Sequence, residues 1–285
     1  MRKSAMRRNV TALGVAIAVL FTTGATTAAG RLMTRPPGPG DVVAIEPSYV
    51  LLPVSDAPAK PKPVAKPKAA PAAKTQRVCP QLPAVSAAPV TAAKAVVPSV
   101  KVYDRPDGRV VRVLASPTVE GATLNTIVVE RRGTWLRVQL PIRPNETTGW
   151  VFLTDFAQYE VPYQVVVQRC ARRITVFRSG VQVWSRPAAV GKPRTPTPTG
   201  NFYVDFVAPM RYGSAYGPYL VSVAGFSNVL HQFGKNGIGQ IAIHGTNNPA
   251  SVGHAASNGC VRLYNKDLVE LVKFLPEGSR VRIVD

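Results

Sequence analysis

Histidine and cysteine are both scarce, with three of each in 285 residues. His244, His254 and Cys260 stand ten and six positions apart, so no two of them form a close ligand pair. Structural zinc sites usually draw two ligands from within a few residues, and no metal is expected here. Nucleotide cofactors are disfavoured by a similar shortage. Gly234, Gly237 and Gly239 have the wrong spacing for a dinucleotide fingerprint, and Pro193 follows Gly191-Lys192 where a phosphate loop needs Ser or Thr. No cofactor is therefore expected. Carboxylates are few as well: 15 Asp and Glu face 35 Lys and Arg, a net charge of +20. The excess is uneven. Residues 1–98 carry 13 basic and 3 acidic side chains, residues 99–161 carry 8 and 7, and residues 162–285 carry 14 and 5.

The long uncharged run is confined to the start. Arg2, Lys3, Arg7 and Arg8 precede residues 9–30, which hold no charge. This is the layout of a signal peptide cleaved near Ala28 or Ala29, or of an uncleaved anchor just long enough to span a bilayer. Either way the remainder is expected to be exported and associated with the cell envelope, periplasmic or extracytoplasmic. An exported basic chain meets anionic cell-envelope polymers or a membrane surface rather than nucleic acid. No aromatic lies between Tyr49 and Tyr103 to stack on bases, which points the same way. Residues 31–98 read as a disordered linker. Residues 58–74 contain five prolines and five lysines, and such a stretch cannot bury enough apolar surface to order itself.

Two folded parts are expected beyond it, and both are mainly β. Residues 99–161 show strand-like runs at 100–103, 110–115, 126–130 and 135–140, separated by the turn signals Pro106-Asp107-Gly108 and Arg132-Gly133. Trp135, Val138 and Leu140 then lead through Pro144-Asn145 to Gly149-Trp150-Val151. That pattern resembles a small bacterial SH3-like β-barrel. About sixty residues make a marginal core, so docking on the next domain is expected. Residues 162–285 alternate as strands at 163–167, 173–177, 181–185, 201–207, 219–224 and 280–284. One late helix is expected over 266–275, with Asn265 as its cap.

The chemistry concentrates in residues 241–265. Ile241, Ala242 and Ile243 form a buried-strand pattern that delivers His244 to the start of a loop. Sixteen residues later comes Ser257-Asn258-Gly259-Cys260-Val261-Arg262. Gly259 lets the backbone turn tightly and bring amide N–H groups close to the sulfur. A thiol needs a base or a positive environment to become a thiolate, and histidine is the usual partner. Alone, each residue has a plainer reading: a small buried hydrophobe and a satisfied polar side chain. Together, His244-Gly245-Thr246-Asn247 followed by Ser257-Asn258-Gly259-Cys260-Val261-Arg262 resembles the catalytic motif of the L,D-transpeptidase family, the YkuD-type domain. Asn258 stands where many members carry a second histidine. Residues 191–200, from Gly191-Lys192 to Thr197-Pro198-Thr199-Gly200, are the family's second landmark, and the resemblance covers residues 162–285.

The resemblance implies a β-sandwich-like catalytic domain with one late helix, acting on peptidoglycan stem peptides. It implies Cys260 as nucleophile, His244 as general base and the Gly245 carbonyl as the group that fixes the base's tautomer. Backbone N–H groups around Asn258, Gly259 and Cys260 become candidates for an oxyanion hole. Ser257 and Arg262 become candidates for substrate binding, Arg262 through a substrate carboxylate; its plainer role is an ion pair with the late helix. Covalent labelling by a carbapenem is also implied. Hydrolysis of the acyl-enzyme, making an L,D-carboxypeptidase, and a non-catalytic wall-binding scaffold are the other readings. If Cys260 must stay reduced in an oxidising compartment, Cys79 and Cys170 are the natural disulfide pair.

Overall fold

The structure is a computed structural model, and it describes residues 78–232 and 238–285. The targeting segment and residues 31–77 of the expected linker lie outside these. Residues 78–98 are not linker. The Gln168 side chain donates to the Pro80 carbonyl at 3.2 Å, and that of Gln164 to the Ser86 carbonyl at 2.9 Å. Cys79 is disulfide-bonded to Cys170. The segment then enters strand β1 (Val90–Ala95), where Ala92 and Ala93 are fully buried. The alanines that look like linker composition are instead buried strand residues, with Ala93 and Ala95 in the core of the first sheet.

Strand β1 joins β2 (Ser99–Tyr103), β3 (Val110–Ala115), β4 (Asn125–Arg132), β5 (Trp135–Gln139), β6 (Thr148–Phe152) and β7 (Phe156–Val161). The sheet order is β3-β2-β6-β5-β4-β1-β7, antiparallel throughout. Val100, Val102, Leu136, Val138 and Val151 fill its core. The turn signals at 106–108 and 132–133 thus separate strands as expected. Strands β1 and β7 escape sequence inspection because neither shows clean apolar alternation.

The second part contains β8 (Tyr163–Gln168), β9 (Arg173–Arg178), β10 (Val181–Pro187), β11 (Val190–Gly191), β12 (Gly200–Pro209), β13 (Tyr219–Phe226), β14 (Gln240–His244), β15 (Ala255–Ser257), β16 (Val261–Arg262), helix α1 (Asn265–Val272) and β17 (Arg280–Val284). Eight of these strands form one sheet in the order β10-β9-β8-β17-β12-β13-β14-β16, while β11 and β15 pair separately. Strand β12 belongs to two neighbours in turn. Gly200, Asn201, Phe202 and Tyr203 pair with β17, and the rest pairs with β13 after a register shift at Asp205. A bulge of this kind bends the strand and re-aims its side chains.

Period-two alternation then sorts the residues. Val221, Val223, Ile241, Ile243 and Val261 pack inward with Leu263, Leu268 and Leu271 of the α1 region. Ser222, Gln240, Ala242, His244 and Arg262 fall on the opposite face, where they line a cavity. One difference concerns the helix. Asn265 is its first residue rather than its cap, and Tyr264 precedes it without a capping side chain. The Asn265 carboxamide oxygen instead accepts the Thr246 N–H at 2.8 Å. It fills a gap that only glycines leave: a Cβ on Gly245 would lie 2.2 Å from that oxygen, and one on Gly217 would lie 2.4 Å from it.

The two sheets are tightly joined. Tyr203 is fully buried, and its hydroxyl donates to the Gln139 carbonyl at 3.3 Å. Gln139 donates in return to the Asn201 carbonyl at 2.8 Å. Arg143 reaches the carbonyls of Ser227 (2.7 Å), Leu230 (3.2 Å) and Ile238 (3.3 Å). Asn145 both donates to the Phe226 carbonyl (2.9 Å) and accepts its N–H (2.8 Å), as a neighbouring strand would.

Candidate active site

Strands β14 and β16 run parallel, with Ile243 opposite Val261 and His244 opposite Arg262. This register sets Cys260 beside Ala242 and places His244, Cys260 and Arg262 on one face. All three line a cavity of about 560 Å³. The family-motif residues, sixteen positions apart in the chain, are thus brought together by one ladder. His244 is 4% exposed, and its Nδ1 meets the Gly245 carbonyl at 2.5 Å. A carbonyl can only accept, so Nδ1 carries the proton and Nε2 is left as the base. Tyr216 packs edge-on against the imidazole, with ring centroids 4.8 Å apart.

Burial favours the neutral form of both His244 and Cys260. Burial pushes the His244 pKa down to about 4, the Gly245 carbonyl works against that, and the nearby Arg262 charge adds to it. Cys260 is half-buried. Burial pushes its thiol up, while the Ala242 N–H directed at the sulfur and the Arg262 charge pull it down. At neutral pH the cavity wall therefore holds a thiol and an unprotonated imidazole.

The loop before Cys260 is built by Ser257, which corrects two expectations. Ser257 is fully buried and does not reach the cavity. Its hydroxyl donates to the Cys260 carbonyl at 2.6 Å and accepts the Gly259 N–H at 3.1 Å. Ser257 thus shapes the turn rather than binding substrate, and the Gly259 N–H is already engaged. Gly259 has φ of +127°, a conformation that favours glycine over any L side chain. Asn258 is exposed at the cavity wall. Among the described residues no backbone carbonyl takes the N–H of Asn258 or of Cys260, so these two amides remain as candidate oxyanion donors. The 191–200 landmark backs the same loop. Lys192 N–H donates to the Ser257 carbonyl at 3.0 Å, Thr195 Oγ1 donates to it at 3.3 Å, and Thr197 Oγ1 accepts the Gly191 N–H at 2.8 Å.

Arg262 does not pair with the helix. The helix carboxylates belong to Arg186, which lies 3.5 Å from Asp267 and 2.8 Å from Glu270. The Arg262 Nε is buried without a partner. An unpaired guanidinium in the cavity wall two residues from Cys260 is suited to a carboxylate ligand. Arg262→Lys keeps the charge and loses the fork, so kcat/KM is expected to fall about tenfold with little change in melting temperature. A large drop in melting temperature with normal kinetics in the folded fraction would contradict this.

Inspection of the sequence misses Tyr216, which no local pattern marks. It also misses a polar network in the cavity floor, whose signal is one acid inside the apolar run Phe202-Tyr203-Val204-Asp205-Phe206-Val207. Asp205 accepts Gln240 Nε2 at 2.6 Å, and the same nitrogen reaches Ser222 Oγ at 3.0 Å and the Val223 carbonyl at 3.1 Å. Burial raises the Asp205 pKa to about 6 against the pull of the Ser222 and Gln240 hydrogen bonds. The remaining histidines, His231 and His254, are exposed.

The YkuD family, the L,D-transpeptidase catalytic domain, matches residues 162–283. The putative L,D-transpeptidase YkuD of Bacillus subtilis is 34% identical over 169 residues, 58% of this chain and 94% of its own. Its namesake in Bacillus licheniformis is 37% identical over 123 residues, 43% of this chain and 66% of its own. A solved L,D-transpeptidase from Mycobacterium smegmatis aligns at 15% identity with a TM-score of 0.34, covering 52% of this chain and 89% of that one.

Proposed function

The chain belongs to the L,D-transpeptidase family, and on that footing we propose that it is a cysteine-dependent enzyme that crosslinks peptidoglycan stem peptides. The observation that carries this is the cavity in which Cys260, His244 and an unpaired Arg262 meet. Cys260 attacks the amide between the L-centre of meso-diaminopimelate and the terminal D-Ala of a donor tetrapeptide. His244 Nε2 takes the thiol proton and returns it to the leaving D-Ala amine. The Cys260 N–H faces the developing oxyanion, a role whose removal in other enzymes typically costs about 2.7–4 kcal/mol. The side-chain amine of a second stem then attacks the thioester, releases the thiol and links the third residues of two stems.

We place the enzyme outside the cytoplasm, in the cell envelope. The Cys79–Cys170 bond supports this, because such bonds persist in oxidising compartments. The basic surface suits anionic wall polymers or headgroups. Residues 99–161 are read as an SH3-like module that docks on the catalytic part.

The test is mass spectrometry of tetrapeptide muropeptides incubated with the full chain. A dimer lacking one D-Ala supports transfer. Tripeptide stems alone would show hydrolysis, and unchanged substrate would leave a wall-binding scaffold. Intact-mass analysis after carbapenem treatment should place a single adduct on the peptide that contains Cys260.

A further inference from the structure

The cavity that holds Cys260 and His244 is not closed by the catalytic part alone. Its wall includes Glu120, from the loop between β3 and β4 in the first sheet. Glu120 is the carboxylate in that lining, and Arg262 is the guanidinium. Among the described residues the Glu120 carboxylate meets no cation: Arg109, Arg132 and Arg137 are drawn to Asp104 and Glu130 instead. The loop is shaped from within, with Leu124 N–H on Ser116 Oγ at 3.1 Å, Thr118 N–H on the Ala122 carbonyl at 2.8 Å and Gly121 N–H on the Thr118 carbonyl at 2.9 Å. A second cavity of about 190 Å³ continues from the first. It runs between Leu114, Thr118 and Leu124 on one side and Asp205, Phe206 and Gln240 on the other. Glu120, Phe206, Ile238 and Gln240 line both cavities, so the two form one groove. Asn125, where this loop enters β4, donates to the Asp205 carbonyl at 3.5 Å, and the Arg143 and Asn145 bonds of the β5–β6 connection join the two sheets beside it.

Among the described residues one charge of each sign therefore faces the substrate space, each on a different part of the chain. The cation lies two residues from the nucleophile. The carboxylate lies where the groove leaves the nucleophile and passes under the first sheet. We infer that Glu120 is a specificity-determining residue, which binds the primary ammonium of the acceptor stem as it approaches the acyl-enzyme. This rests on the transpeptidase reading above. A free carboxylate at a groove mouth recognises an alkylammonium by a charge-assisted hydrogen bond and raises its local concentration. The ammonium gives one proton to solvent at the open mouth. The neutral amine's lone pair then attacks the thioester carbon, and the C–S bond breaks. His244 takes the second amine proton and hands it to the departing Cys260 sulfur. Glu120 exchanges no proton.

The experiment uses the full chain with Glu120→Gln and Glu120→Lys, a tetrapeptide donor and an amine-bearing stem as acceptor. Donor acylation of Cys260 is followed by intact mass, and transfer and hydrolysis products by chromatography. For Glu120→Gln the acceptor KM is expected to rise about tenfold more than the donor KM. The transfer-to-hydrolysis ratio should fall by the same factor, and Glu120→Lys should lower it further. The acceptor KM of the wild type should also rise with salt, more steeply than that of Glu120→Gln. Equal acceptor KM values in wild type and Glu120→Gln would overturn this proposal alone. Donor and acceptor KM rising together would overturn it in favour of a role in shaping the cavity. A wild-type chain whose Cys260 is never acylated would overturn the transpeptidase reading and this proposal with it.

Discussion

Replacing Cys260 by alanine or by serine is expected to lower crosslink formation by at least about 10³-fold, with the fold intact. Alanine removes the atom that forms the acyl bond. Serine is the sharper test, since it keeps the shape of the site and changes only the acidity of the nucleophile. The imidazole beside it binds a proton only weakly, with its pKa held down to about 4 by burial. Such a base can take a thiol proton as the sulfur attacks, but a hydroxyl is a much weaker acid. Stability should change little in either variant. Cys260 is half-buried, its main-chain carbonyl is held by Ser257, and neither bond that Ser257 makes involves the sulfur. Chromatography of the product and a melting curve of each variant decide the matter. Wild-type yields of dimer from Cys260→Ser would remove the sulfur from the mechanism.

The site was legible in the sequence because its chemistry depends on residues close in the chain. The buried run Ile241-Ala242-Ile243 announced a strand, and His244 and Cys260 carry rare residue types at a recognisable spacing. Strand β17 was visible to the residue because Val281 and Ile283 alternate with arginines, and β3 because it is a valine-rich run closing the 106–108 turn. Other features arise only from long-range packing. Asn265 looks like a helix cap in isolation, yet Gly217 and Gly245, far apart in the chain, together leave a gap that its side chain fills. Arg262 could as well have paired with the helix; Arg186, a residue with no distinguishing pattern, takes those carboxylates instead. Strand β1 is hidden for the opposite reason. Its Val-Thr-Ala-Ala-Lys-Ala sequence is poor in bulky residues, and the burial that makes it a strand comes from β4 and β7 on either side. Ser257 shows the limit within the motif itself. Residue type suggested a hydroxyl offered to substrate, and the turn geometry consumes it.

The second large effect is expected in the pH dependence of stability, where two buried groups of the cavity floor oppose each other. His244 has a folded pKa of about 4 against 6.5 for an ordinary histidine. Between those values the unfolded chain binds a proton that the folded one refuses, so this group makes stability rise with pH and fall as the medium is acidified. Asp205 has a folded pKa of about 6 against an ordinary 3.8. Over that window the folded chain keeps a proton that the unfolded one releases, so its contribution is fully present below the ordinary value and is lost as pH rises through about 6. Each shift corresponds to about 3 kcal/mol across its whole window. With opposite signs over nearly the same range, they largely cancel in the wild type. Asp205→Asn keeps an acceptor for Gln240 Nε2 and removes one titration, exposing the histidine slope: the melting temperature should climb between pH 4 and 6.5. His244→Asn exposes the carboxylate slope, and its melting temperature should fall between pH 4 and 6. The two variants should differ from the wild type by roughly 5–10 °C at the ends of these ranges, with the same background from every other group. Scanning calorimetry of the three proteins at half-unit intervals measures the slopes directly. Three parallel curves would mean that neither group titrates with a shifted pKa, and that burial does not hold the His244 imidazole's affinity for protons down.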